Sequence, residues 1–196
     1  MQFSATLARC TALTLLCCFG TACSAAKISD VPAMRWDARP EAASWTTQTM
    51  AVVAAHDAQL AGRVPKDIAT FCPHDPKGTL NERRAFWVGL LSATAKHESG
   101  FNPHASGGSG RYVGLMQISP ATARQSQCRA HSTAALKDGP ANLACAVQIA
   151  APHVAQDGMV AGKGNLGIGR DWGPFQSKAA RADIAGWTAK QSYCQD

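Results

Sequence analysis

The sequence predicts a mostly α-helical protein, and three observations lead there. Apolar residues return at spacings of three and four along several stretches, those stretches open on capping residues, and no alternation of apolar and polar residues persists for the five positions a strand would need. A chain of 196 residues is long enough for one domain with a proper core.

Met1 to Arg9 carries one positive charge and no acid, and Cys10 to Phe19 is an apolar stretch too short to span a bilayer. This is the pattern of an export leader, and the small residues that follow place its cleavage after Ala26, giving a signal peptide of residues 1–26. A lipoprotein signal ending before Cys23 is the alternative. Residues 27–43, with Pro32, Pro40 and scattered charges, read as an irregular N-terminal arm ahead of a domain covering 44–196. In that domain Trp45, Met50, Val53, Ala54 and Leu60 predict a helix from Ser44 to Arg63, capped by Ser44 or Thr46. Pro65 to Gly78 reads as loop, apart from a short helical turn at Asp67-Ile68-Ala69.

Thr79-Leu80-Asn81-Glu82 has the form of a capping box, so a helix begins there. Trp87, Leu91, Thr94, Ala95 and Glu98 then share one face of it. Gly100 and Asn102-Pro103 end the helix, which leaves Glu98 as the single ionisable group on an apolar stripe, in the last turn before a loop of glycine and serine. Ser119-Pro120 opens a helix to about Gln127, Ala141 to Ala151 forms another that ends or kinks at Pro152, and Ser177 to Lys190 forms the last. Between the last two, Gly162 to Gly173 is glycine-rich loop.

The formal net charge of +6, one less once Arg9 leaves with the leader, suits an anionic wall polymer or membrane surface. No basic run with interleaved aromatics is present, which argues against nucleic acid. Of the eight cysteines, four lie in or beside the leader, and Cys72, Cys128, Cys145 and Cys194 remain. An even number in an oxidising compartment predicts two disulfides with three connectivities open; Cys128 with Cys145, flanking Gly139-Pro140, is the first choice and leaves Cys72 with Cys194. The expected product is periplasmic or secreted, soluble or anchored to the outer membrane through Cys23, and monomeric. Gly162 to Gly167 matches GxGxxG without a preceding strand, so no dinucleotide site is expected. His97 and His104 lack the spacing of a metal site, and neither metal nor organic cofactor is expected.

An apolar surround raises the pKa of a carboxyl group, and this is what lets an acid such as Glu98 donate a proton near neutral pH. Cleaving a glycosidic bond needs such a donor for the leaving oxygen and a way to stabilise an oxocarbenium-like centre. Downstream, Gly114 allows the backbone to approach a ligand closely, and Gln117 offers a donor and an acceptor suited to an acetamido group.

Glu98-Ser99-Gly100-Phe101-Asn102-Pro103, then Ser106, then Gly114-Leu115-Met116-Gln117-Ile118-Ser119-Pro120-Ala121-Thr122-Ala123 resembles the signature of lytic transglycosylases with the goose-type-lysozyme-like (SLT) catalytic domain. Asn142-Leu143-Ala144 resembles that family's next motif, and the likeness spans roughly residues 85–150. It implies a single lysozyme-like helical domain that cuts the bond between N-acetylmuramic acid and N-acetylglucosamine in peptidoglycan. The residue matching Glu98 first gives and then takes a proton while the muramyl 6-hydroxyl closes a 1,6-anhydro ring, with no cofactor. The resemblance further implies that Ser106, Gln117 and Asn142 serve substrate binding and that Met116 lines the cleft floor, plain core packing being the other reading of Met116.

This sequence departs from the family's pattern in two places. The loop between Ser106 and Gly114 is longer than usual and carries Arg111-Tyr112, and the family's closing Tyr-Asn pair is absent. Gly169 to Phe175 is expected to take that part of the cleft, with Trp172 stacking on a sugar face and Asp171 as a second carboxylate or as an Asp bonding its own turn. With Asp171 as base or nucleophile the protein is a hydrolytic muramidase or chitinase-like glycosidase; with no activity it is a peptidoglycan-binding protein. Small size and export suggest a wall cutter serving a secretion or pilus apparatus.

Overall fold

The helix predicted from the capping box is the axis of the structure. In the computed structural model, which describes Gln2 and residues 31–196, that helix is α3, Leu80–Ser99. Thr79 sits in extended backbone, its hydroxyl accepts the Glu82 amide at 3.3 Å, and the Glu82 carboxylate accepts the Thr79 amide at 2.7 Å. These bonds satisfy two of the amides a helix start leaves orphaned, and they hold the Glu82 carboxyl below its usual range. At the other end Gly100 takes a left-handed conformation, φ 60°. Between the caps every residue from Ala85 to Ala95 is buried, so the middle of α3 is covered on all sides and not only along the stripe read from its spacing.

The main elements packed against α3 are α1 (Ala42–Ala55), α6 (Lys178–Thr188) and the last 3-10 turn, Ser192–Cys194. Helix α1 starts earlier and stops sooner than its spacing suggested. Thr46 is not its cap, because its hydroxyl is buried and accepts the Trp36 indole N–H at 2.9 Å. Leu60 reaches the core from a turn and not from a continued helix. The expected short turn becomes α2, Ile68–Phe71, and Ser119 caps α4, Pro120–Gln125, as its sequence indicated.

Helix α5, Gly139–Asp157, begins on Asp138, whose carboxylate accepts the Ala141 amide at 2.9 Å. It continues past Pro152, where the sequence placed an end or kink, to a left-handed Gly158. Proline removes one donor from the helix, and the burial of Ala150, Ala151 and Val154 around it carries the helix through. A two-stranded antiparallel sheet, β1 (Ser106–Gly107) and β2 (Tyr112–Val113), folds the glycine-rich loop into a hairpin that is too short to show as alternation.

The predicted irregular arm is described only from residue 31; the leader, the cleavage point after Ala26 and the lipidation alternative at Cys23 lie outside the described residues. Met34 and Trp36 are buried in the core. Between them Arg35 grips Asp183 of α6 with two bonds of 2.7 and 2.9 Å, and His97 of α3 reaches the same carboxylate at 2.7 Å. Asp183 is thereby held well below the ordinary carboxylate range, first by Arg35. Cys72 bonds Cys194 and Cys128 bonds Cys145, across 122 and 17 positions. Among the described residues no helix is long and apolar enough to cross a membrane.

Replacing Cys72 and Cys194 together with alanine is expected to lower the unfolding free energy by about 3–5 kcal/mol, since the bond closes a long loop. Urea unfolding of both proteins measures it, and a change of less than about 1 kcal/mol would mean that packing alone holds the C-terminal turn.

Candidate active site

Asn142 builds the loop that faces the end of α3. Its side chain is fully buried near the start of α5 and makes three bonds to main chain: its carbonyl accepts the Met116 amide at 2.8 Å, and its NH2 donates to the Val113 and Leu136 carbonyls at 3.0 and 2.9 Å. Gly114 lies under this amide with φ +81°, and a Cβ there would collide with Asn142 and the Leu136 carbonyl. The close approach expected of Gly114 is therefore to its own fold and not to a ligand. Asn142 likewise stands apart from the pocket, and its amide is engaged by the loop it holds.

Past Gly114 the chain turns sharply. Gln117 has φ +47°, and both its main-chain N–H, at 3.2 Å, and its side-chain NH2, at 2.9 Å, donate back to the Gly114 carbonyl. Val113 and Ile118 pair across the turn, and Met116 is wholly buried, so core packing is the reading of Met116 that the structure favours. Its carbonyl accepts the Trp172 indole N–H at 2.9 Å, which draws that ring inward to 3 % exposure. Trp172 contributes an edge to the pocket wall, and its ring is core rather than an open sugar platform.

These constraints leave a pocket of about 360 Å³ lined by Glu98, Gly107, Gly108, Tyr112, Gln117, Asp171, Trp172 and Gly173. Glu98 and Asp171, far apart in sequence, thus line one pocket, and the segment around Trp172 does take up one wall. Ser106 does not join them: it is exposed on β1, paired with Val113, and does not line the pocket. His97 and His104 are absent from the lining too, and among the described residues no three His, Cys, Asp or Glu side chains cluster as metal ligands. A larger cavity of about 740 Å³ opens between α1 and α5 beside the Cys128–Cys145 bond, but its only acid, Asp138, is occupied as the α5 cap.

The two carboxyl groups at the pocket differ in what surrounds them. Glu98 is half-buried, and burial alone pushes its pKa up to about 7, with no charged or hydrogen-bonding neighbour to offset it. Asp171 keeps 22 % of its side-chain surface and is also pushed above the ordinary range by burial, which His153 on α5, with Nδ1 2.7 Å from its carboxylate, and Arg170 offset only in part. Burial therefore raises both carboxyl groups of the pocket, Glu98 without an opposing partner and Asp171 against a histidine and an arginine. His153 had no local signal, since only the folded chain brings it to Asp171.

Residues 78–164 match the family described as transglycosylase SLT domain. Over that stretch the chain is similar to the SLT transglycosylase domain. Solved structures agree with the fold: Bd0314 DslA in its wild-type form 2 is 26 % identical, with a TM-score of 0.76, covering 85 % of this chain and 100 % of that one. Two DslA variants, each with one Glu changed to Gln, match at 26 % and 25 % identity with TM-scores of 0.75 and 0.76, covering 84 % and 85 % of this chain and 98 % and 100 % of theirs. No curated protein sequence matches the chain. An SLT domain implies, at the level of the family, peptidoglycan as substrate and cleavage of the lytic-transglycosylase type.

The raised acid has a cost in stability. A carboxyl that keeps its proton to about pH 7 when folded, against an ordinary value of 4.5, binds more protons folded than unfolded in that window, so stability falls as pH rises from about 4.5 toward 7. Glu98→Gln removes the charge and is expected to exceed wild type by about 1–2 kcal/mol at pH 8, solvent access at a half-buried group reducing the full linkage, and to match it at pH 4. Thermal and urea unfolding at both pH values measure this, and equal differences at the two would contradict the burial of the charge. Asn142→Ala orphans two buried main-chain groups, the Met116 amide and the Leu136 carbonyl, and takes one of two bonds from the Val113 carbonyl, which is expected to cost about 2–4 kcal/mol in the same assays.

Proposed function

We propose that this protein is an exported peptidoglycan lytic transglycosylase with Glu98 as its single acid and base. The observation that carries the reading is the half-buried Glu98 carboxyl, raised to about 7 by burial alone and facing a pocket with polar groups on the other walls. Protonated Glu98 gives its proton to the glycosidic oxygen, the bond from that oxygen to the muramyl anomeric carbon breaks, and the positive centre that develops faces the Asp171 carboxylate. The muramyl 6-hydroxyl then adds to the anomeric carbon and returns its proton to Glu98. No water is consumed, and the products are a 1,6-anhydromuramyl end and a free 4-hydroxyl on N-acetylglucosamine. Gln117 contacts the sugar near the scissile bond.

Hydrolysis is a second reading, favoured by Asp171, which lines the same pocket and is oriented by His153. An acid and a second carboxylate across a sugar ring are the minimal set for adding water. A non-catalytic wall-binding role is disfavoured by the raised acid itself, which costs stability without serving binding. Export by the leader, to the periplasm or to the outer membrane through Cys23, and service to a secretion or pilus apparatus complete the proposal.

Digestion of purified sacculi followed by mass spectrometry tests the chemistry. Released muropeptides should lack one water relative to hydrolysed ones; reducing ends alone would replace the transglycosylase reading with hydrolysis, and no release at all would remove the enzymatic one. Glu98→Gln is expected to lower release by about 10²–10⁴-fold. Because the acid must enter the reaction protonated, kcat/KM should decline as pH rises above about 7, the Glu98 value, and a flat profile through pH 8.5 would exclude Glu98 as the proton donor.

A further inference from the structure

The aromatic face that the pocket offers is Tyr112. Strand β2 is only Tyr112–Val113, yet its two residues face opposite ways. Val113 is wholly buried, with its carbonyl bonded to Asn142 and its backbone paired with Ile118. With Val113 anchored inward, Tyr112 must point outward, and it does so at the pocket, 42 % exposed.

Its ring is positioned rather than loose. Gly107 pairs with Tyr112 across the hairpin, and the ring rests against Gly108, where a Cβ would stand 2.8 Å from Cδ2 and 3.0 Å from Cε2. Gly108 adopts φ +54°, so the same residue makes the turn and leaves room for the ring. Trp172, the other aromatic at the pocket, is turned into the core by its bond to the Met116 carbonyl. An exposed aromatic ring backed by main chain, at the mouth of a pocket with a raised acid, has the chemistry to take the apolar C–H face of a pyranose.

We infer that Tyr112 is a sugar-binding platform beside Glu98, stacking on an N-acetylhexosamine ring of the glycan strand. The inference rests on the proposed substrate, and it assigns to the hairpin the stacking that the sequence placed on Trp172.

Binding without turnover separates the two claims. With Glu98→Gln as parent, retention on purified sacculi and the Kd for soluble glycan-strand fragments are measured, then repeated with Tyr112→Ala and Tyr112→Phe added. Tyr112→Ala should weaken binding about fivefold to tenfold and Tyr112→Phe by less than about twofold, with thermal midpoints unchanged because the side chain is exposed. If the parent binds and Tyr112→Ala binds equally well, the platform is wrong while the substrate stands. If Tyr112→Phe loses as much as Tyr112→Ala, the hydroxyl and not the ring face makes the contact, which also overturns the inference. A parent that binds no glycan overturns the substrate reading and this one with it.

Discussion

One buried amide holds the candidate site together. Asn142 bonds three main-chain groups, at Val113, Met116 and Leu136, and the last two would otherwise be left unpaired in an interior without water. The turn through Gly114 and Gln117, the inward Val113 and the outward Tyr112 all follow from that grip. Trp172 depends on it at one remove, because the Met116 carbonyl it binds is placed by the Met116 amide. Asn142 holds only backbone, so the side chains that line the pocket can vary without loosening the frame.

Opposite this frame, Glu98 ends a helix whose middle is buried on every side. The burial that stabilises α3 also strips water from the carboxyl in its last turn, and no cation or donor offsets the loss. Packing and proton affinity are thus coupled at one residue: a more open helix end would be more stable as a charged surface and poorer as an acid. Asp171 shows the contrast. It is dehydrated and raised too, but His153 and Arg170 oppose the shift, which nothing does at Glu98.

Features that depend on near neighbours in sequence were legible before the fold was known. The capping box at Thr79, the Ser119 cap and the apolar stripe leading to Glu98 are local, and the structure repeats them. The pairing of Cys72 with Cys194 and Cys128 with Cys145 is the one preferred from loop composition and elimination. Misplaced roles share a cause in partners distant along the chain. Trp172 faces inward because of a carbonyl 56 positions away, and Asn142 serves the loop because of amides and carbonyls brought to it by folding. Tyr112 went unread as a wall residue because a two-residue strand has no periodicity to detect, and Ser106 sits on its partner strand, away from the pocket.

The two disulfides are nested: the bond between Cys128 and Cys145 lies wholly inside the segment closed by Cys72 and Cys194. Closing a short loop costs less chain entropy than closing a long one, so under oxidising conditions the inner pair is the easier to form from an unfolded chain. The outer pair meets readily only after α3 has gathered α6 and the terminal turn around it, with α2 seated on α6. Its formation then marks the completion of folding, a seal set on a finished domain and not a guide toward it.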